Sequence, residues 1–174
     1  YFSHFCAFNF VTTGFNGYSS LSCSDLFITN SKFYLHRGEI SDSRIIDVTV
    51  TNDFVISFSD SLQVVYLISR AGYNTARLNL TVGGNLIVSG HNKGLFVTSM
   101  SSGEEIISIG NNINILGGKT RFNGYEIASS RGHDITGTIG GSILIADGSI
   151  SLSTQKGISN WSIQGDFDQT GGFS

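Results

Sequence analysis

Glycine recurs at short, nearly regular intervals through the second half of the chain, and this spacing most constrains the fold. The gaps are 7 to 9 residues, with one of 13, along the series Gly83, Gly90, Gly103, Gly110, Gly117, Gly124, Gly132, Gly140, Gly148, Gly157, Gly165 and Gly172. Between these glycines lie short aliphatic runs, such as residues 85–88 and 142–145, each the length of one modest strand. Because glycine adopts the positive φ angles of tight reversals, the spacing predicts short β-strands joined by turns.

Several of the turns have the composition of β-hairpin turns. Asn123-Gly124 and Asp147-Gly148 each separate two strand-like runs, and Gly83-Gly84 reverses the chain after residues 78–82. Asn52-Asp53 is a weaker signal of the same kind, because it contains no glycine. These turns predict pairs of adjacent antiparallel strands, and no run after residue 76 has the periodicity of a helix.

Composition changes near residue 75. Residues 1–75 hold 14 of the 20 aromatic residues, whereas residues 76–174 hold 18 of the 22 glycines. We therefore predict two regions: an aromatic-rich β domain at 1–75, with an attachment or globular role, and a Gly-rich repetitive β-strand region at 76–174. Runs rich in β-branched and aromatic residues predict strands in the first region at 25–30, 32–36, 44–51, 54–59 and 62–69.

The strands of the second region are narrow, since many offer only two or three aliphatic side chains to one face. Such strands gain stability when several chains wind together, each covering the others. The chain also contains no proline, which would otherwise protect sheet edges. The prediction is an all-β protein whose C-terminal half is an elongated β-spiral or β-helix-like structure, wound into an intertwined homotrimer.

Charge and length exclude several classes of partner. Only 13% of residues are charged, the net charge is -3, and the ten basic residues are scattered, which argues against nucleic acid. No run approaches the roughly 18 apolar residues that a membrane span requires. Cys6 and Cys23 form a disulfide if the compartment is oxidising, and two reduced thiols are the equal alternative.

Residues able to support chemistry are sparse. The four histidines lie far apart, so no metal site, cofactor or catalytic group is predicted. Trp161 is the one tryptophan, and with Asp166 and Asp168 it forms a candidate glycan contact in which the indole stacks on a sugar ring. The alternative for Trp161 is that its indole packs into the core at a terminal strand. The alternative for Asp166 and Asp168 is that both carboxylates lie in a solvated loop.

One stretch resembles a known class of proteins. The run Leu78-Asn-Leu-Thr-Val-Gly-Gly-Asn-Leu-Ile-Val-Ser-Gly90 resembles phrases common in tail fibres and receptor-binding proteins of bacteriophages, and residues 120–127, Thr-Arg-Phe-Asn-Gly-Tyr-Glu-Ile, are similar to turns of the same class. The resemblance covers about residues 78–127. It implies a homotrimeric appendage of a virion, attached to other tail proteins at one end and touching a glycan or protein of the host surface at the other.

Three hypotheses about function follow. The first is a non-enzymatic structural and adhesive component of a phage tail fibre or similar appendage, located on the virion or another extracellular surface. The second is a bacterial surface or filament protein built as a single-chain β-solenoid. The third is a polysaccharide depolymerase on a β-helix, whose carboxylates would come from Asp166, Asp168 and either Glu104 or Glu105.

Overall fold

The computed structural model describes residues 5–8, 20–29, 33–37, 45–59, 65–69, 77–90, 95–98, 103–123, 133–152 and 157–171. All regular secondary structure in these ranges is β-strand. The strands in chain order are β1 (Phe5–Phe8), β2 (Leu21–Cys23), β3 (Asp25–Thr29), β4 (Phe33–Arg37), β5 (Ile45–Val50), β6 (Phe54–Ser57), β7 (Val65–Ser69), β8 (Arg77–Val82), β9 (Leu86–Ser89), β10 (Leu95–Thr98), β11 (Gly103–Ile109), β12 (Ile113–Ile115), β13 (Lys119–Asn123), β14 (His133–Ile139), β15 (Ile143–Ile145), β16 (Ser149–Ser151), β17 (Ser159–Ile163) and β18 (Phe167–Gln169).

The strands stack into three parallel sheets, and together they form a β-solenoid. Sheet A runs β1-β3-β6-β9-β12-β15-β18, sheet B runs β4-β7-β10-β13-β16, and sheet C runs β2-β5-β8-β11-β14-β17. From β2 onward the chain therefore visits sheets C, A and B in turn, and we call one such passage a coil. Each strand pairs in parallel with the equivalent strand of a neighbouring coil, for example β8 with β11 and β9 with β12.

The interior of the solenoid is filled by stacked columns of aliphatic side chains. Alternate residues of each strand point inward, as in the buried positions of β5, β8 and β9. One column of sheet A contains Leu26, Phe54, Leu86, Ile113 and Ile143, and each of these residues is fully buried. Because each coil covers the apolar side chains of its neighbours, burial of this core is achieved within one chain.

A column of polar side chains marks the corner between sheets C and A, and we call it the corner ladder. Its members precede the first inward residue of each sheet A strand: Asp25, Asp53, Asn85, Asn112, Ser142 and Asp166. The side-chain oxygen of each member accepts the backbone N–H of the next. The N···O distances are 2.7 Å from Asn85 to Asp53 and 2.8 Å from Ser142 to Asn112. This pattern aligns successive coils at the point where the chain changes sheet.

Glycine is required beside this ladder because the coils approach closely there. A Cβ placed on Gly110 would lie 2.1 Å from the carbonyl oxygen of Gly83 in the preceding coil, and one on Gly140 would lie 2.1 Å from that of Gly110. Positive φ, which the sequence predicts at the turns, occurs among the described glycines at Gly103, Gly118 and Gly148. Close contact between coils therefore explains more of the glycine spacing than reversal of the chain does.

The predicted hairpins are wrong where the structure describes them. Asn52-Asp53, Gly83-Gly84 and Asp147-Gly148 each join strands of different sheets, so they are corners between parallel sheets. At Asn123-Gly124, β13 ends at Asn123 and the predicted second strand lies outside the described residues. Short-range turn chemistry is similar in a hairpin and in a solenoid corner, because both bend the chain sharply between two short strands.

Other predictions are confirmed. The all-β class and the β-helix-like architecture are observed, and the strands predicted in residues 25–69 correspond to β3, β4, β5, β6 and β7. The sheets run past residue 75, since β5 pairs with β8 and β6 with β9. The separate roles of residues 1–75 and 76–174 stay a prediction, as does the homotrimer.

Candidate functional site

The outer face of sheet C carries mostly polar side chains in a regular arrangement. Its outward residues form three columns that run across the strands. The first column is Ile45, Arg77, Glu104 and Asp134; the second is Asp47, Asn79, Ile106, Thr136 and Asn160; the third is Ser22, Thr49, Thr81, Ser108, Thr138 and Ser162. We call the third set the hydroxyl column, because every member carries a side-chain hydroxyl.

The hydroxyl column is continuous over all six strands of sheet C. The strand registers align Ser22 with Thr49, and Thr81 with Ser108. Adjacent strands of a sheet lie about 4.8 Å apart, so six hydroxyls on neighbouring strands span about 24 Å. Thr138 Oγ1 on β14 lies 3.4 Å from Ser108 Oγ on the adjacent strand β11, which is within hydrogen-bonding distance. The column therefore presents donors and acceptors at a constant spacing.

The neighbouring columns are held in place by contacts between strands. Arg77 Nε donates to Glu104 Oε2 at 2.8 Å, and both side chains are more than a third exposed. Asn79 Nδ2 donates to Asp47 Oδ1 at 2.8 Å in the adjacent column. Exposed ion pairs contribute little to stability. Their effect here is to orient polar groups along the same face as the hydroxyl column.

Trp161 lies on β17 with its indole directed into the core. Its ring covers Gly137 of β14, where an added Cβ would lie 2.2 Å from two indole carbons. The ring centroid is 5.0 Å from that of Phe122, which is fully buried, and the indole N–H donates to Ser159 Oγ at 3.0 Å. Trp161 is half-buried and packs against the aliphatic core.

Asp166 and Asp168 lie on a different sheet from Trp161. Asp166 is the last member of the corner ladder, where its backbone N–H donates to Ser142 Oγ at 3.0 Å. Asp168 is on β18, in register with Leu144 on the outer face of sheet A. Both residues are exposed. The glycan contact predicted for Trp161, Asp166 and Asp168 stays a prediction.

The two glutamates considered for a depolymerase point to opposite faces of sheet C. Glu104 is on the outer face with Arg77, whereas Glu105 is fully buried in an inward column between Leu78 and Ile135. In the described ranges, no three His, Cys, Asp or Glu side chains converge as a metal site would require. Glu104 and Glu105 belong to sheet C, whereas Asp166 precedes β18 and Asp168 lies on β18 in sheet A, so the four residues do not share one sheet.

Two further features predicted from the sequence are only partly described. Cys23 is buried on β2, while Cys6 lies on β1 and its side chain is outside the described residues, so the disulfide stays a prediction. No helix long and apolar enough to span a membrane occurs in the part of the chain that the structure describes.

The sequence contained the signal for the hydroxyl column. The segments Asp47-Val-Thr49, Asn79-Leu-Thr81 and Thr136-Gly-Thr138 each place two polar residues around one inward residue. Only the parallel register brings the third residue of every segment into one line, and that register was not predicted.

Comparison with family models, with curated proteins and with solved structures found no significant match to this chain.

Proposed function

We propose that this chain is a non-enzymatic structural and adhesive module of an extracellular surface or appendage, and that the outer face of sheet C is its contact surface for glycan. The hydroxyl column is the observation that carries the proposal. Hydroxyls at a constant spacing suit a polymer that itself repeats hydroxyl groups, because several weak hydrogen bonds form in parallel.

The distribution of the charged residues supports a role without catalysis. General acid and base chemistry needs two titratable groups within reach of one substrate atom. Glu104 is paired with Arg77, Glu105 is inside the core, and Asp168 is on the outer face of sheet A. The depolymerase hypothesis is therefore the weakest of the three.

The setting of the module is a further part of the proposal. Parallel pairing of successive coils within one chain favours a bacterial surface or filament protein, because the interior coils are covered by neighbouring coils of the same chain. The resemblance to tail fibres supports the alternative, a homotrimeric appendage of a virion. Light scattering distinguishes the two settings, since only the fibre demands a fixed mass of three chains.

Binding to immobilised polysaccharides tests the adhesive role. The purified chain is applied to a panel of bacterial surface polysaccharides and to cellulose and chitin, beside the double variant Ser108→Ala/Ser162→Ala. Loss of two hydrogen bonds should weaken retention at least about fivefold. The matched control is Ser57→Ala/Ser151→Ala, which removes two hydroxyls from the outer faces of sheets A and B. Equal retention of both variants, or none by the wild type, would reject this contact surface.

A further inference from the structure

The two terminal strands of sheet A have backbone groups directed away from the solenoid. At β18, the N–H of Ile143 donates to the carbonyl of Asp166 at 2.9 Å, and the N–H of Thr170 donates to the carbonyl of Ile145 at 3.0 Å. In a parallel ladder, alternate residues bond to opposite sides. Phe167 and Gln169 therefore direct their N–H and C=O groups to the outer edge of β18, where no described strand pairs with them.

The same edge exposes a core side chain. Phe167 occupies the inward column of sheet A, in register with Ile143, yet it is 54% exposed. Ile113 and Ile143 in that column are fully buried, because a strand lies on each side of them. One more strand beyond β18 would give Phe167 the same environment.

Among the described strands, β1 forms the opposite edge of sheet A, and it has matching features. Its sequence, Phe-Cys-Ala-Phe, carries no charge, and it pairs in parallel with β3. The register aligns Phe5 with the corner-ladder residue Asp25, and Cys6 with the inward residue Leu26. β1 therefore has the same direction and the same register as the other strands of sheet A.

Charge decides how two copies can meet. Residues 157–171 contain Asp166 and Asp168 and no Lys or Arg, so joining two β18 edges would bring four carboxylates together. Like charges on facing strands destabilise a sheet. Placing β1 of a second copy against β18 sets Asp168 opposite the position of Ala7, and sets Asp166 opposite the position of Phe5. The Asp166 carboxylate then continues the corner ladder by accepting a backbone N–H.

From these observations we propose that copies of this chain associate head to tail, with β18 of one copy pairing in parallel with β1 of the next. The occupant of the β18 edge is a second copy of the chain, and the pairing repeats, in sheet A, the contact already made between neighbouring strands of that sheet. Such an interface is heterologous and does not close, so it produces a series of oligomers rather than a dimer. It goes beyond the adhesive role and does not depend on a glycan.

Sedimentation of this 174-residue chain over a wide range of concentrations tests this association. We expect a concentration-dependent series of species that extends past the dimer. The variants Phe167→Lys and Gln169→Pro place a charge on the β18 edge or remove an edge donor, and each should raise the concentration for half association about tenfold or more. The control is Leu116→Lys, which changes a side chain that is 48% exposed in an interior coil and should not alter association. Circular dichroism and thermal unfolding establish that each variant is folded.

A covalent trap tests the register directly. The proposed register places Phe167 opposite Cys6 of the next copy, and neighbouring Cα atoms in a sheet lie within the range that a disulfide spans. Oxidised Phe167→Cys should give a ladder of chains on a non-reducing gel, and adding Cys6→Ser should abolish it. A monomer at all concentrations, a closed dimer, a fixed trimer, or association unchanged by Phe167→Lys would each overturn the proposal.

Discussion

Trp161 and Gly137 share one inward column, and the small residue makes room for the large one. The equivalent positions in earlier coils hold Leu80 and Ile107, which are buried. At β14 the column narrows to glycine, and the indole of β17 lies over it and against Phe122. The indole covers the end of the core, which agrees with the core-packing alternative considered from the sequence, while the glycan contact stays a prediction.

This pairing predicts coupling between the two positions. Gly137→Ala should cost about 1–3 kcal/mol of unfolding free energy, because the new methyl group collides with the indole. In a Trp161→Ala background the same change should cost nothing, since the space is then empty. Chemical denaturation of the two single variants and the double variant measures the coupling. Additive effects would show that the indole does not cover Gly137 in solution.

Thr120 supports a prediction of increased stability. Its hydroxyl is buried in an inward column next to Ile150, and Thr120 Oγ1 has no hydrogen-bond partner among the described residues. Replacing a buried, unpaired hydroxyl with a methyl group of similar size removes a desolvation cost. We expect Thr120→Val to raise the free energy of unfolding by about 1 kcal/mol.

The matched control for Thr120 is an exposed threonine in a strand. Thr136→Val on the outer face of β14 makes the same chemical change without altering the core, and it should leave stability within about 0.5 kcal/mol of the wild type. Destabilisation by Thr120→Val would mean that the buried hydroxyl binds a partner in solution.

At the scale of the element, the corner ladder joins each coil to the next at the corner between sheets C and A. Asn112 contributes twice: its Nδ2 donates to Asn85 Oδ1 at 3.3 Å, and its Oδ1 accepts the Ser142 N–H at 2.8 Å. Asn112→Ala removes both bonds and leaves a half-buried N–H without its acceptor. We expect a loss of about 1–3 kcal/mol in the free energy of unfolding, measured by chemical denaturation.

Asn114 provides the control for Asn112, two residues further along the same coil. It lies on the outer face of β12, in register with Ile87 and Leu144, and makes no side-chain hydrogen bond with described residues. Asn114→Ala should therefore change stability by less than about 0.5 kcal/mol. If the two alanine variants lose the same stability, the corner ladder does not align the coils.

The sequence predicted elements better than it predicted their pairing. Alternation in runs such as Asp47–Thr51 is a local property, so the strands were found close to their observed bounds. Pairing depends on residues 20 to 32 positions apart, as in Phe5 with Asp25 and Phe54 with Leu86. A single sequence with uneven coil lengths gives no local signal for that separation, and hairpins were predicted instead.

For the whole molecule, position along the solenoid should set local stability. Strands β8 and β11 have paired neighbours on both sides, whereas β17 and β18 have one described neighbour each. In a stacked array each unit is stabilised mainly by its neighbours, so the last coil should open first. Hydrogen exchange should protect the amides of Leu80 and Ile107 most strongly, and the hydrogen-bonded amides of Gln164 and Thr170 least. Uniform protection from β8 to β18 would contradict this gradient.

Residues that share a surface of this protein cannot be identified by analysing one strand at a time. Trp161, Asp166 and Asp168 were selected because they are near one another in sequence, but β17 and β18 belong to different sheets. Ser22 and Ser162 are 140 positions apart in the chain and are aligned on one face of sheet C. In a solenoid, surface chemistry accumulates across coils, and only the register shows which residues contribute to it.

The corner ladder allows the number of coils, and so the length of the solenoid, to change. The side-chain oxygen of each member accepts the backbone N–H at the equivalent position of the next coil. If one whole coil is deleted, the members on either side of the deletion can therefore still form this hydrogen bond. Excising residues 103–132 would set Ser142 above Asn85 and Gly140 above Gly83, with the alignment of β14 on β8 preserved. Evolution, or a protein engineer, is thereby free to shorten or extend this scaffold by duplication and deletion without redesigning any joint.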